Sequence, residues 1–303
     1  MSVNTRLIRK RIKSSQNIAQ ITKAMEMVAA SKVKKAQQQV LDGKPYTERI
    51  YEMVGNATRR VDPELHPLLR KFDKLQDLRF LIVLVTTNKG LCGSLNTGLI
   101  LALDTWIKTQ QEKAVTKTID FITIGKKGQR FVLRKGIHYI ADFSETVPFI
   151  NVISPLASLI SEKFLNWEYD MVWVAFNEFI SALKQEPHIK RILPISPETE
   201  PEIFNQMAQT KEESFHYLIE PEPQEVLEFV LPLYLQVQIR NAILEAEASE
   251  HSARMIAMKN ATDNALALID GLTLEYNKAR QQAITYEIAD IETARLSIAK
   301  RKN

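Results

Sequence analysis

Along the first 42 residues apolar positions recur every three or four: Leu7, Ile8, Ile12, Ile18, Ile21, Met25, Val28, Val33, Ala36 and Val40. The segment from Ser2 to Asp42 has no Gly or Pro and is rich in Ala, Lys and Gln. That combination predicts one long helix with a single apolar stripe. Gly43 and Pro45 mark a kink or a brief interruption, after which Tyr46 to Arg60 resumes as helix until Pro63 and Pro67 stop it. From Leu233 to Asn303 the only breaker is Gly271. At about 1.5 Å per residue a helix of that span is roughly 100 Å long, wider than a globular core of this size. Its seam reads Met258, Ala261, Ala265, Leu268, Leu272, Tyr276, Ala279 and Ala283, a heptad-like series with one stutter. Leu235, Ile239, Ala242, Ala246, Ser249 and Ala253 continue it upstream with small residues that let two helices approach closely.

A helix this long with a narrow stripe needs a partner, and the N-terminal helix supplies one. Both attach to the same middle region, so the simplest pairing is an antiparallel two-helix coiled coil projecting from a compact body. Folding of both into one helical bundle is the alternative.

The middle of the chain changes period. Arg79 to Thr87 is an apolar run of strand length, Asn96 to Thr109 reads as helix and Thr118 to Ile124 as a second strand. A short helical stretch follows through Val132, then helix over Ile153 to Trp167 and a buried strand over Met171 to Phe176. Strands alternating with helices predict a parallel or mixed sheet covered on both faces. Pro187 to Lys211, rich in prolines, reads as an exposed loop or an extended strand plus loop. The expected organisation is an N-terminal coiled-coil helix (1–60), a central α/β, Rossmann-like domain (61–222) and a C-terminal coiled-coil helix (223–303).

Composition sharpens this division. Of 12 Pro and 9 Gly in 303 residues, 11 Pro and 6 Gly fall between Asp62 and Pro232, leaving both ends nearly free of breakers. Residues 1–36 carry nine Lys or Arg against Glu26, whereas the middle is mildly acidic and the C-terminal segment neutral. One cysteine, Cys92, excludes an intramolecular disulfide and asks for no oxidising compartment. The basic opening is followed by no apolar stretch of a secretory signal. No apolar run exceeds the six residues of Phe80 to Val85, far short of the roughly 20 residues of a membrane span.

Chemistry is sparse. The Asn88 to Ser94 loop follows the first strand, where α/β folds bind phosphates, yet it has neither P-loop nor dinucleotide spacing, and Gly125-Lys126-Lys127-Gly128 fails the same tests. Cys92, between Leu91 and Gly93 after a buried strand, reads as a packed thiol. The five His are scattered, with no pair at metal-ligand spacing. No catalytic, metal or cofactor site is expected. A basic coiled-coil nucleic-acid-binding protein is the alternative function, since eight net positive charges over 36 residues could follow a phosphate backbone.

Four ordered blocks are more specific. Ile21-Thr22-Lys23-Ala24-Met25-Glu26-Met27-Val28-Ala29-Ala30-Ser31-Lys32 resembles the N-terminal signature of the gamma subunit of F-type ATP synthase. Lys89-Gly90-Leu91-Cys92-Gly93 follows, then Ala248 to Met255 with Ala261 to Ala265, and finally Tyr276 to Gln281 through Ile284-Thr285 to Glu287-Ile288. The resemblance implies a non-catalytic rotor subunit that couples rotation of a proton- or sodium-driven membrane ring to ATP synthesis or hydrolysis. The implied partners are three alpha and three beta subunits, the epsilon subunit and the membrane rotor ring. The implied location is peripheral, on the cytoplasmic face of the plasma membrane, with no nucleic acid involved. Carried over by position, Lys23, Met25, Arg280, Gln281, Thr285 and Glu287 become contacts to beta subunits, and Tyr217 and Glu220 belong to the foot near the rotor ring. Asn88 stands where many relatives have Asp, and the end from Arg295 is basic where a small, apolar tip is expected. A lone Cys92 leaves no regulatory dithiol, which points to the bacterial type.

Overall fold

The computed structural model describes residues 3–58, 66–69, 77–112, 115–195, 220 and 222–301. The chain divides into two compact units, one of Met1–Ala29 with Met255–Asn303 and one of Ala30–Arg254.

Two helices account for both ends of the chain: α1 spans Val3–Thr58 and α5 spans Pro223–Arg301. In the first unit they pack against each other, burying Thr5, Ile8, Ser15, Ala19, Thr22 and Ala29 of α1 with Met258, Thr262, Ala265 and Leu272 of α5. Within the second unit Gln39 faces Arg240 and Tyr51 packs on Tyr234, so partner numbers fall on one helix as they rise on the other. The pair is therefore antiparallel.

The seam differs from the predicted one. On α1 Ile8, Val33 and Ala36 of the predicted stripe are buried, but from Ser15 to Ala29 the buried positions are the small or hydroxylated Ser15, Ala19, Thr22 and Ala29; Ile18, Ile21 and Val28, one position earlier, are 50–60% exposed. Leu7 and Val40 are exposed as well. Two stripes lie side by side on this helix, and the less apolar one is inside. Close approach of two helix axes needs small side chains at the contact, and Ile or Leu there would hold the axes apart. On α5 the stutter disappears. Thr262 is buried in place of Ala261 and Ile269 replaces the exposed Leu268, so the inward positions run 258, 262, 265, 269, 272, 276, 279 and 283 in regular alternation of four and three.

Thr22 and Thr262 meet hydroxyl to hydroxyl at 2.7 Å. Each oxygen also lies within hydrogen-bond distance of a carbonyl of its own helix, Ile18 or Ala19 for Thr22 and Met258 for Thr262. Each hydroxyl has one proton, so one donates across the seam and the other back to its own turn. A buried pair satisfied in this way fixes register more narrowly than two alanines could.

Gly43 and Pro45 do not interrupt α1. Gly43 is buried, and a Cβ there would land on the guanidinium of Arg240, which donates from Nη2 to the carbonyl of Gln39 at 3.1 Å. The glycine gives a helix-to-helix hydrogen bond its room. Gly271 has no such role. It is exposed, a Cβ there would meet nothing within 4 Å, and its φ is not positive. Gly271→Ala is expected to raise stability by about 1 kcal/mol, read as a higher denaturation midpoint; a lower one would show that the helix needs glycine there.

In the second unit a five-stranded sheet has the order β3-β2-β1-β4-β5, with β1 Leu78–Val85, β2 Thr116–Ile124, β3 Tyr139–Asp142, β4 Met171–Phe179 and β5 Gln185–Leu193. The pairs β1–β2, β1–β4 and β2–β3 are parallel and β4–β5 is antiparallel. Helices α2 (Leu95–Glu112) and α3 (Lys126–Lys135) cover one face, where Leu99, Leu103, Phe131 and Val132 pack on Ile82, Leu84 and Phe121. The opposite face, with Leu81, Val83 and Val172, receives α4 (Ile153–Leu165) through Leu156, Ile160 and Phe164. It also receives Ile50 and Val54 of α1 and Leu231, Tyr234 and Leu235 of α5. A central strand buried on both sides explains why β1 reads as an uninterrupted apolar run. The second unit is thus an α/β, Rossmann-like body whose core includes segments of the two terminal helices.

Candidate partner-contact surface

Small residues on α5 also serve the sheet. Ser249 donates to the carbonyl of Asn177 at 2.9 Å and Ser252 to that of Ala182 at 2.7 Å, fastening α5 to the end of β4 and the turn after it. One turn on, Glu250 and Arg254 form an ion pair at 2.8 Å with both side chains largely buried. The Arg254 guanidinium also donates to the carbonyls of Lys89 and Gly90 at 3.3 Å, so α5 holds the loop between β1 and α2. His251 Nδ1 lies 3.3 Å from Arg254 Nη1. Arginine has only protons to offer, so this nitrogen accepts and the imidazole is neutral. None of these charged residues was singled out from the sequence for its own chemistry, although each borders a stripe of small residues on a helix without Pro or Gly.

Two titrating groups in this unit pull in opposite directions. Burial, and then Glu178, push the Glu245 carboxyl up to about 7, with Lys190 opposing. Burial, then Lys32 and Arg254, bring His251 down to about 4. Folded Glu245 holds a proton that the unfolded chain has lost, so its contribution to stability falls as pH rises from about 4.5 to about 7. The unfolded chain holds the proton of His251, so stability is lost as pH falls from about 6.5 to about 4. The two slopes oppose each other across mildly acidic pH. Glu245→Gln is expected to raise the melting temperature by several degrees at pH 8 and to leave it nearly unchanged at pH 4.5. An equal gain at both values would remove the proposed cause.

The start of the loop after β1 is tied to the start of α3. Asn88 Oδ1 accepts the N–H of Lys126 at 2.9 Å, Thr87 O accepts that of Lys127 and Thr86 Oγ1 that of Gly128. The first amides of α3 are thereby consumed. A carboxylate at position 88 would accept the same bond, so asparagine here preserves the contact without the charge. Asn96 donates to the Cys92 sulfur at 3.2 Å, and burial pushes that thiol up, which leaves it protonated and packed.

The six residues expected to touch beta subunits all lie in the first unit. Ile18, Ile21, Met25 and Val28 follow steps of three, four and three, so Met25, half-buried, sits within the outer apolar stripe of α1. Lys23 is exposed and bonds Glu26 at 3.0 Å. On α5, Arg280, Ile284, Glu287 and Ile291 share one exposed stripe at steps of four, three and four. Gln281 and Thr285 lie beside it, the Thr285 hydroxyl donating to the Gln281 carbonyl at 2.9 Å. Leu274, Tyr286 and Ile288 add exposed apolar area. Glu220 is exposed just ahead of α5, and Tyr217 lies outside the described residues. Among the described residues no helix is long and apolar enough to cross a membrane, and no cluster of His, Cys, Asp or Glu could hold a metal ion.

The first unit is thus a pair of antiparallel helices closed largely by small residues, and the second a sheet covered on both faces. Residues 4–295 match the family model described as ATP synthase. The ATP synthase gamma chain of Roseiflexus castenholzii is 40% identical over 98% of this chain and 99% of its own. That of Aquifex aeolicus is 37% identical over 96% and 97%. Among solved structures, a chain of the Tetrahymena thermophila mitochondrial ATP synthase central stalk and c-ring is 25% identical, with a TM-score of 0.56 over 80% of this chain and 99% of that one. A chain of the Euglena gracilis mitochondrial enzyme has the same fold, with a TM-score of 0.63 over 99% and 96% at 21% identity. The chain belongs to the ATP synthase gamma-chain family.

Proposed function

We propose that this chain is the central-stalk rotor subunit of an F-type ATP synthase, coupling rotation of an ion-driven membrane ring to ATP synthesis or hydrolysis on neighbouring subunits. The observation that carries this reading is the end-to-end match to gamma chains, which takes in both terminal helices and the sheet between them. Every relative and solved structure named above is an ATP synthase chain, and none favours the nucleic-acid alternative.

The mechanism is one of differential contact. The helix pair of the first unit presents Ile18, Ile21, Met25 and Val28 on α1, and Arg280, Ile284 and Glu287 on α5, as chemically different faces. A ring of three alpha and three beta subunits around such a shaft would meet a different face at each beta subunit. Turning the shaft changes which contact each one makes, and a difference in contact free energy between conformations is what shifts their affinity for nucleotide. Arg280 and Gln281 are assigned to a beta-subunit loop, with Thr285 and Glu287 on the same segment and Lys23 and Met25 opposite. Glu220 and Tyr217 are assigned to the foot, near the epsilon subunit and the membrane ring. The chain would be peripheral, on the cytoplasmic face of the plasma membrane and held there through the complex.

Stoichiometry tests the assignment. Affinity purification through a tag on this chain is expected to recover alpha and beta subunits at one copy of the chain per three of each, measured by native mass spectrometry. Recovery of the chain alone, or in an equimolar ratio, would count against it.

A further inference from the structure

The two glycine loops that fail the nucleotide-motif tests come together in the fold. Lys126 N–H bonds to Asn88, Lys127 N–H to Thr87 O, and the position of a Cβ on Gly90 lies 3.8 Å from the Lys127 ammonium. Between them opens a cleft of about 640 Å³, lined by residues 90–93, by Asn96, Thr97 and Ile100 of α2 and by Lys127, Arg130, Leu133 and Arg134 of α3. Its volume falls in the range of small-ligand sites.

Charge on α3 is sorted by direction. Lys126 pairs with Glu145 at 3.2 Å and Lys135 with Asp104 at 2.9 Å, both away from the cleft lining. Lys127, Arg130 and Arg134, which line it, have no carboxylate partner among the described residues, and no acid lines the cleft with them. Their spacing of three and four residues puts them on one face over about 10 Å of helix. Three uncompensated cations in a row raise the local potential, and an anion of extended charge relieves it. Two of the three are arginines, whose planar forks suit phosphoryl oxygens in bidentate fashion. Leu91, Ile100 and Leu133 line the same cleft and offer an apolar wall beside the charge. Gly90 and Gly93 leave the lip without side chains.

We propose that this cleft binds a phosphate-chain anion, the class to which inorganic polyphosphates and nucleoside di- and triphosphates belong, by the side chains of Lys127, Arg130 and Arg134. Binding is through side chains and not through a P-loop, because the first amides of α3 are already engaged. Its residues are not among those assigned to partner contact, and its failure would leave the rotor reading untouched.

Titration of the free full-length chain by calorimetry, with tripolyphosphate and ATP as separate probes at near-physiological salt, tests this. Saturable binding in the high-micromolar range is expected for tripolyphosphate, and tighter binding of ATP would show that the apolar wall takes the organic part. The triple variant Lys127→Ala, Arg130→Ala, Arg134→Ala is expected to weaken tripolyphosphate by at least about tenfold. Its far-ultraviolet circular dichroism melt should match the parent. A control with the same net charge, Lys44→Ala, Lys108→Ala, Lys163→Ala, removes lysines already paired with acids and should change affinity less than about twofold. No binding, equal weakening in both triple variants, or equally strong displacement by oligoglutamate would overturn the proposal, the last by favouring an acidic peptide.

Discussion

Arg280→Ala is expected to lower coupled ATP synthesis by the assembled complex on the order of tenfold, a loss within the usual range of a site-to-site coupling energy. Arg280 is exposed on α5, and no carboxylate among the described residues forms an ion pair with it. Removing it takes nothing from the chain's own core, so the helix content and melting temperature of the isolated chain should be unchanged. The loss then belongs to a contact with another subunit. Lys278, exposed on nearly the opposite side of the same helix, is the control, and Lys278→Ala should leave synthesis close to normal. Unchanged synthesis and hydrolysis in the Arg280 variant, or equal defects in both variants, would remove Arg280 from the coupling surface.

The largest effect on stability is expected at Gly125. This residue joins β2 to α3 with φ of +98°, a conformation that suits glycine, and an added Cβ would run into the backbone carbonyl of Thr86. Thr86 cannot give way easily. Its N–H bonds to the Ile124 carbonyl at 2.8 Å, and its hydroxyl lies between the Gly128 amide at 2.8 Å and the carbonyls of Ile124 and Gly125. Gly125→Ala therefore combines strain in φ with a clash against fixed backbone, and a loss of about 3 kcal/mol or more is expected. Chemical denaturation of the purified chain measures it. Gly136 serves as a comparison, since its φ is also positive but a Cβ there meets nothing within 4 Å, so Gly136→Ala should be the milder change.

Much of this architecture was legible in the sequence, because the strongest signals were periodic and long. The breaker-free ends gave two helices, and FLIVLV gave a strand buried on both faces, which the sheet order bears out. What the pattern hid has physical reasons. On α1 Ile8, Val33 and Ala36 of the predicted stripe are buried, but between residues 18 and 29 the outward Ile18, Ile21, Met25 and Val28 are more apolar than the inward Ala19, Thr22 and Ala29, so there hydrophobicity pointed at the wrong face. Large apolar residues on a shaft are available to cover a partner, while the seam selects for size. On α5 the choice of Ala261 and Leu268 over the inward Thr262 and Ile269 produced a stutter that the helix does not have, because Thr262 is the more polar neighbour and Leu and Ile are equally apolar.

Two strands were harder to read for different reasons. β3 has four residues, too few for an alternation to show, and β5 carries Pro187 with Lys190 and Arg191 on the edge of the sheet, where polar residues discourage pairing with another chain. The Glu250–Arg254 and His251–Arg254 contacts are neighbours at four and three residues on one helix; what spacing along that helix hides is their burial and the reach of Arg254 to the carbonyls of Lys89 and Gly90. The cationic cleft was hidden similarly, since its two glycine loops lie more than thirty residues apart.

The central claim is that this chain turns inside its partners. It is tested most directly by fixing an assembled complex to a surface through its beta subunits, attaching a bead to this chain and supplying ATP. The account predicts rotation of the bead in one direction with three pauses per turn, one for each beta subunit. A complex that hydrolyses ATP while the bead stays still would contradict it.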